Sequence, residues 1–195
     1  MNKKEQIITA LAELSRTRGF YRVTVDELAA HAGVSKRTIY RHFRSKDEIV
    51  EVLLERFMNQ MTGKIEQTIS SSERPADIFS GVISLVVQHG RSMLNPLVLD
   101  DLRRHYPELW KKIERFRAEK IQRNVVELLA GKYEGKGLRE IDPRIVGAAF
   151  LASVQAVVNP EFILSNNLSF EDTVKQLIGL FMSGIIDDRP SRAAE

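Results

Sequence analysis

The chain has 195 residues, a formal net charge of +3, 43% hydrophobic and 28% charged residues, enough for one large globular domain or two small ones and against wholesale disorder. It contains no cysteine, which excludes disulfide scaffolds, thiolate-ligated zinc, iron–sulfur clusters and thiol catalysis. The polar N-terminus lacks an apolar signal stretch, and the most apolar run, residues 145–158, is too short to cross a bilayer, so the expected setting is the cytosol.

The charge surplus lies entirely in residues 1–62, while the remainder is balanced. Residues 33–46 carry Lys36, Arg37, Arg41, Arg44 and Lys46 with no acid among them. A patch of this kind suits a polyanion, because each neutralised phosphate releases condensed counterions. Taken alone, a charge run is more often a solvated face than a binding site.

In chain order, the first helix is marked by Ile7, Ile8, Leu11 and Leu14 on one face, with Gly19 as its stop and Phe20 able to fold back. Thr24 and Glu27 form a capping box that opens a short helix over 25–32. Gly33 breaks it, and Ser35 caps a third helix over 36–43. Ser45 and Glu48 form a second capping box, opening a long helix with Ile49, Val52, Leu53, Phe57 and Met61 on one side. Helices follow over 76–88, from Pro96 to about 105, from Pro107 to about 130, over 144–158 and over 170–186. Gly131, Gly135 and Gly137 mark a loop. The expected fold is all-α: an N-terminal three-helix helix-turn-helix domain over 1–48, joined through the long helix to a helical domain over 49–187, then a frayed tail over 188–195.

The second and third helices carry the strongest pattern. Ala29 is small enough for a close crossing, Gly33 can take the positive φ of the tight turn, and Ile39 and Phe43 face inward together. Arg37, Thr38, Tyr40 and Arg41 then point outward, with Lys36 and His42 at the flanks. Such a surface can enter a major groove, where Arg pairs bidentately with guanine and Thr meets a thymine methyl or a phosphate. The helix start at Ser45-Lys46 offers free N–H groups and a positive charge to another phosphate.

The segment from Thr24 to Glu48, with Ala32-Gly33-Val34-Ser35 and Ile39-Tyr40-x-His42-Phe43-x-Ser45-Lys46, closely resembles the DNA-binding domain of the tetracycline-repressor-like (TetR) family. The match covers about residues 4–60. The resemblance implies DNA contacts from Thr24, Ser35, Lys36, Thr38, Tyr40, His42 and Lys46. Arg37 departs from it, since many members have a small residue or Pro there, and it adds a base or phosphate contact.

Beyond about residue 63 the resemblance implies dimerisation and an effector pocket. The residues themselves support the first role. The 145–158 helix is apolar nearly all round, with Ala148, Ala152 and Ala156 as a small-residue stripe. The last helix sets Gly179 and Ser183 beside Val174, Ile178 and Phe181. Both helices are expected to pair with their copies in a four-helix bundle of a homodimer. Candidate pocket residues are Phe57, Met61, Phe79, Val86, Leu99, Leu102, Tyr106, Trp110, Ile113, Phe116 and Phe150, with Tyr106, Trp110 and Gln155 as orienting polar groups.

Catalytic patterns are missing. None of His31, His42, His89 and His105 forms His-Glu-x-x-His, and no Gly-x-Ser-x-Gly occurs. Asp100, Asp101 and His105 could form a small metal site, but surface charge is the simpler account. No cofactor or metal is expected. The expected function is a sequence-specific transcriptional regulator, a repressor released from a palindromic operator by a partly apolar effector. Its alternatives are a non-specific architectural DNA-binding protein and, further off, a helical enzyme.

Overall fold

The computed structural model describes residues 2–72, 75–93, 95–130, 139 and 141–185. Ten helices and no strand occur among them: α1 (Lys3–Arg18), α2 (Val25–His31), α3 (Lys36–His42), α4 (Lys46–Ser71), α5 (Pro75–Met93), α6 (Pro96–Arg104), α7 (Pro107–Ala130), α8 (Pro143–Val157), α9 (Pro160–Ser165) and α10 (Phe170–Ile185). No described helix is long and apolar enough to cross a membrane. The glycine-marked loop around 131–137 and the tail over 188–195 lie outside the described residues.

Local chemistry sets the boundaries in the first third. Thr24 Oγ1 accepts from Glu27 N–H at 3.2 Å, and Glu27 Oε2 accepts from Thr24 N–H at 2.9 Å, completing the box at α2. A cap of this sort contributes about 0.5–2 kcal/mol. Ser35 does half of this for α3, accepting from Thr38 N–H at 3.1 Å. At α4 the second box is displaced. Ser45 accepts from Glu48 N–H, but the Glu48 carboxylate reaches past Ser45 to Arg44 N–H at 2.6 Å. The chain enters α4 in an extended conformation (Ser45 φ −152°, ψ 168°), and the carboxylate caps the donor one residue further out.

Two expectations are revised. α5 runs to Met93 rather than ending at residue 88. α9 was not expected. It is six residues long and offers too few positions for a periodicity to show, although Asn159, which accepts from Phe162 N–H at 2.8 Å, and Pro160 are proper start signals.

Ile7, Leu11, Phe20, Val23, Leu28, Ile39, Phe43 and Ile49 make a nearly solvent-free core under the first three helices. This core does not stop at residue 48. Met93, Val98, Leu102 and Tyr106 belong to the same cluster, so α5 and α6 seal the base of the N-terminal helices. A second small cluster, Val154, Val158 and Leu177, joins α8 and α10, with Phe150 set edge-on to Phe181 at 4.9 Å.

Candidate nucleic-acid interface and ligand cavity

The turn between α2 and α3 is built as the residue types require. Gly33 has φ +63°, a region costly for a side chain, and Val34 N–H bonds to the Ala29 carbonyl at 3.0 Å. Buried Ile39 and Phe43 fix the inner side of α3. Its outer side gathers Ser35, Arg37, Thr38, Tyr40 and Arg41 around one open depression. Tyr40 is 50% exposed despite its size, and among the described residues no carboxylate pairs with Arg37 or Arg41. Lys36 differs. It is held 3.0 Å from Asp26, whose carboxylate raises its pKa.

The flanking residues are also engaged. Thr24 is occupied as the α2 cap. His42 is half-buried, with Nε2 shielded and without a partner among the described residues. The Lys46 ammonium donates to the carbonyls of Phe20, Tyr21 and Val23 at 3.1, 2.8 and 3.0 Å. Burial pulls its pKa down, opposed by Asp47 and Asp101. Its side chain thus closes the α1–α2 loop, leaving the N–H groups of the α4 first turn as its neighbourhood's offer to a phosphate.

That loop is also where the N-terminal helices meet α6. Gly19 has φ +71°, and a Cβ there would collide with the Asp101 carboxylate. Asp101 accepts from Tyr21 N–H at 2.9 Å, the Tyr21 ring stacks on His105 at 3.6 Å, and Phe20 meets Tyr106 edge-on at 6.4 Å. Asp100 is taken by Arg103 and Arg104, each at 2.8 Å. The three residues considered for a metal therefore each have another job. Tyr106 is buried here, and desolvation, helped by Asp47, pushes its phenol well above 10.0.

A separate cavity of about 270 Å³ lies between α4, α5, α7, α8 and α10, just below the usual size range of ligand sites. It brings together six of the expected residues: Phe57, Met61, Trp110, Ile113, Phe116 and Phe150. Leu99, Leu102 and Tyr106 are instead packed into the core or the α6 junction. Gln155 is exposed on α8 and does not line the cavity. The side chains of Phe79 and Val86 lie outside the described part. Sequence reading missed Leu54, Met58, Ile65 and Ile78, and more importantly the polar side chains Thr62, Arg117, Lys120 and Asn124. The last three stand at i, i+3 and i+7 on α7, a spacing that shares one helix face.

On the far side, Ala148, Ala152 and Ala156 of α8 are exposed, as are Gly179 and Ser183 of α10. Leu180 at 71% and Ile145 at 64% exposure stand beside them. Val174 and Phe181 pack inward against the α8–α10 cluster, and Ile178 turns into the cavity wall.

Residues 7–53 match the family model described as bacterial regulatory proteins, tetR family. The whole chain is similar to the uncharacterised HTH-type transcriptional regulator YvaF of Bacillus subtilis, with 27% identity over 97% of this chain and 98% of that one. It is also 27% identical to the nucleoid occlusion factor SlmA of Photobacterium profundum, over 85% and 86% of the two chains. Among solved structures, the triclosan complex of SmeT, described as the repressor of a Stenotrophomonas maltophilia efflux pump, superposes with a TM-score of 0.67. It covers 99% of this chain and 97% of SmeT at 17% identity.

Proposed function

We propose that this chain, a member of the tetR family of bacterial regulatory proteins, is a homodimeric transcriptional repressor released from a palindromic operator by a small-molecule effector. The observation that carries the reading is the outward face of α3, where Ser35, Arg37, Thr38, Tyr40 and Arg41 converge on one solvent-open surface. The frame behind it is capped and tightly packed, so these side chains are presented rather than buried. Arg37 and Arg41 read bases or anchor phosphates. Thr24, Ser35, Lys36, Thr38, Tyr40 and His42 serve as lateral contacts, and Lys46 acts through the backbone of the helix it opens.

One short recognition helix reaches few base pairs, so two copies are required for a specific site. The exposed small-residue stripes of α8 and α10, with Leu180 and Ile145, supply the dimer face. The functional division falls within α4, between a DNA-binding part over 1–48 and an effector-binding and dimerisation part over 49–187. The cavity is the effector site, and the α6–loop junction at Asp101 and Tyr21 transmits its state to the head.

Selection from random duplexes, followed by binding at fixed salt, tests the reading. A palindromic consensus bound at least about a thousandfold more tightly than random DNA is expected. Equal affinity for both would make the chain an architectural DNA-binding protein, and a monomer in sedimentation at micromolar concentration would remove the dimer.

A further inference from the structure

The α7 helix places two cations, Arg117 and Lys120, in the wall of the cavity, where the other polar side chains are Thr62 and Asn124. Arg117 stands there beside Ile113, Phe116 and Ile121. Its Nη1 donates to the Val158 carbonyl at 3.0 Å, tying α7 to the turn between α8 and α9. The Trp110 ring centre lies 5.6 Å from its guanidinium carbon. Its Nη2 is buried with no acceptor among the described residues. Burial lowers the guanidinium pKa only to about 10, so the group is cationic at neutral pH. The acid that bears on it is Glu114, one turn back on α7 and not in the cavity wall. No described lining residue is acidic.

A buried cation with an unused donor costs stability unless a ligand completes it. The neighbouring Lys120 does not repeat the arrangement, since its ammonium lies 3.5 Å from Glu66, which Arg123 also engages. A single uncompensated guanidinium edge therefore fits one negative charge rather than a doubly charged phosphate. A cationic ligand would set like charges together in a low dielectric, and a neutral one would leave the Nη2 donor without an ionic partner.

We propose that the cavity takes an amphipathic carboxylate, toward which the Arg117 side chain turns its unpaired Nη2 edge out of the wall to donate to the ligand oxygen, the apolar body lying against the walls from α4, α5, α8 and α10. This assignment rests on reading the cavity as the effector site. Arg117 gives it orientation: the head group sits at α7 near the α8–α9 turn, and the body extends toward Met61 and Ile65 of α4.

The test uses the full chain, with decanoate, decan-1-ol and decyltrimethylammonium as probes below their micellar concentrations. Binding is followed by quenching of the sole tryptophan, Trp110, and by calorimetry. Decanoate is expected to bind about tenfold or more tightly than decanol, with the ammonium weakest. Arg117→Met should erase that gap by weakening decanoate alone, and Arg117→Lys should retain part of it. Should Arg117→Met fail to fold, the wild-type ranking and the Lys variant decide. Equal binding of decanoate and decanol, a preference for the ammonium, or no binding of any probe would overturn the carboxylate assignment. Operator release is measured in parallel. Probes that all release DNA equally would leave the effector reading standing while the anion preference falls. Tight, Arg117-dependent decanoate binding that leaves the operator occupied would do the reverse.

Discussion

Around Phe20, the side chains of Ile7, Leu11, Val23, Leu28, Ile39 and Ile49 are shielded from solvent almost completely. Around Met61 and Phe116, side chains of comparable size stand about a 270 Å³ space and remain partly accessible. Both regions are built from the same helical periodicity and the same residue types. The difference is in what surrounds them. The N-terminal helices are capped at fixed points and closed from below by α5 and α6, so their inner side chains are almost fully shielded. Between α4, α5, α7, α8 and α10 a space remains, and the atoms lining it lose dispersion partners on one side. The head is therefore closed on itself, while the body encloses a space that can admit a guest.

The sharpest way to break this contrast is Phe20→Ala. Deleting a fully buried ring from a packed core should cost about 3–5 kcal/mol in denaturant unfolding; a cost under about 1 kcal/mol would mean the head is no tighter than the body. Next in size, Arg37→Ala and Arg41→Ala should each weaken operator binding by about 1–3 kcal/mol without shifting the unfolding midpoint, because both lie on the exposed face of a frame they do not hold together. Loss at one operator position marks a base contact, and uniform loss with a shallower salt slope marks a phosphate anchor. Ile65→Phe adds volume to the cavity and should raise stability by about 0.5–2 kcal/mol while blocking probe binding; the same enlargement at Ile39 should destabilise by about 1–3 kcal/mol.

The smallest effect concerns pH. Tyr106 has its phenol pKa raised in the folded chain, by burial first and then by Asp47. The protonated form is thus the one the fold favours. Its contribution is fully present below pH 10.0, the ordinary value, and is lost as pH climbs through the higher folded value. Unfolding midpoints between pH 9 and 12 should fall less steeply for Tyr106→Phe than for the parent chain, and parallel curves would refute the assignment.

Much of the head was legible in the chain itself, because its determinants are local. The Thr24–Glu27 box spans four residues, and Gly33 announces a backbone conformation that few other residues tolerate. The body was less legible for the converse reason. Asp101 finds its partner at Tyr21, eighty positions away in the chain, and nothing near either residue announces the pairing. Tyr106 looked like a ligand-orienting aromatic, yet it closes the junction beneath Phe20. Gln155 looked like a polar group trapped in an apolar helix, but α8 leaves that side open. Arg117 was overlooked because it stands in a helix dense with Lys, Arg and Glu, where any one cation reads as solvated surface. What distinguishes it is the Val158 carbonyl, supplied by a turn that folds back onto α7.

The unbroken run of α4 from its Ser45 cap to Ser71 carries a mechanical corollary. Its 26 residues make a lever arm of about 39 Å at 1.5 Å per residue, with its first turn following the recognition helix and its middle turns forming a cavity wall. Pivoting that rod by about 5° about its distal end would swing the tip through roughly 3 Å, close to the rise of one base-pair step. In a twofold assembly the two tips would swing apart together, doubling the mismatch with successive grooves.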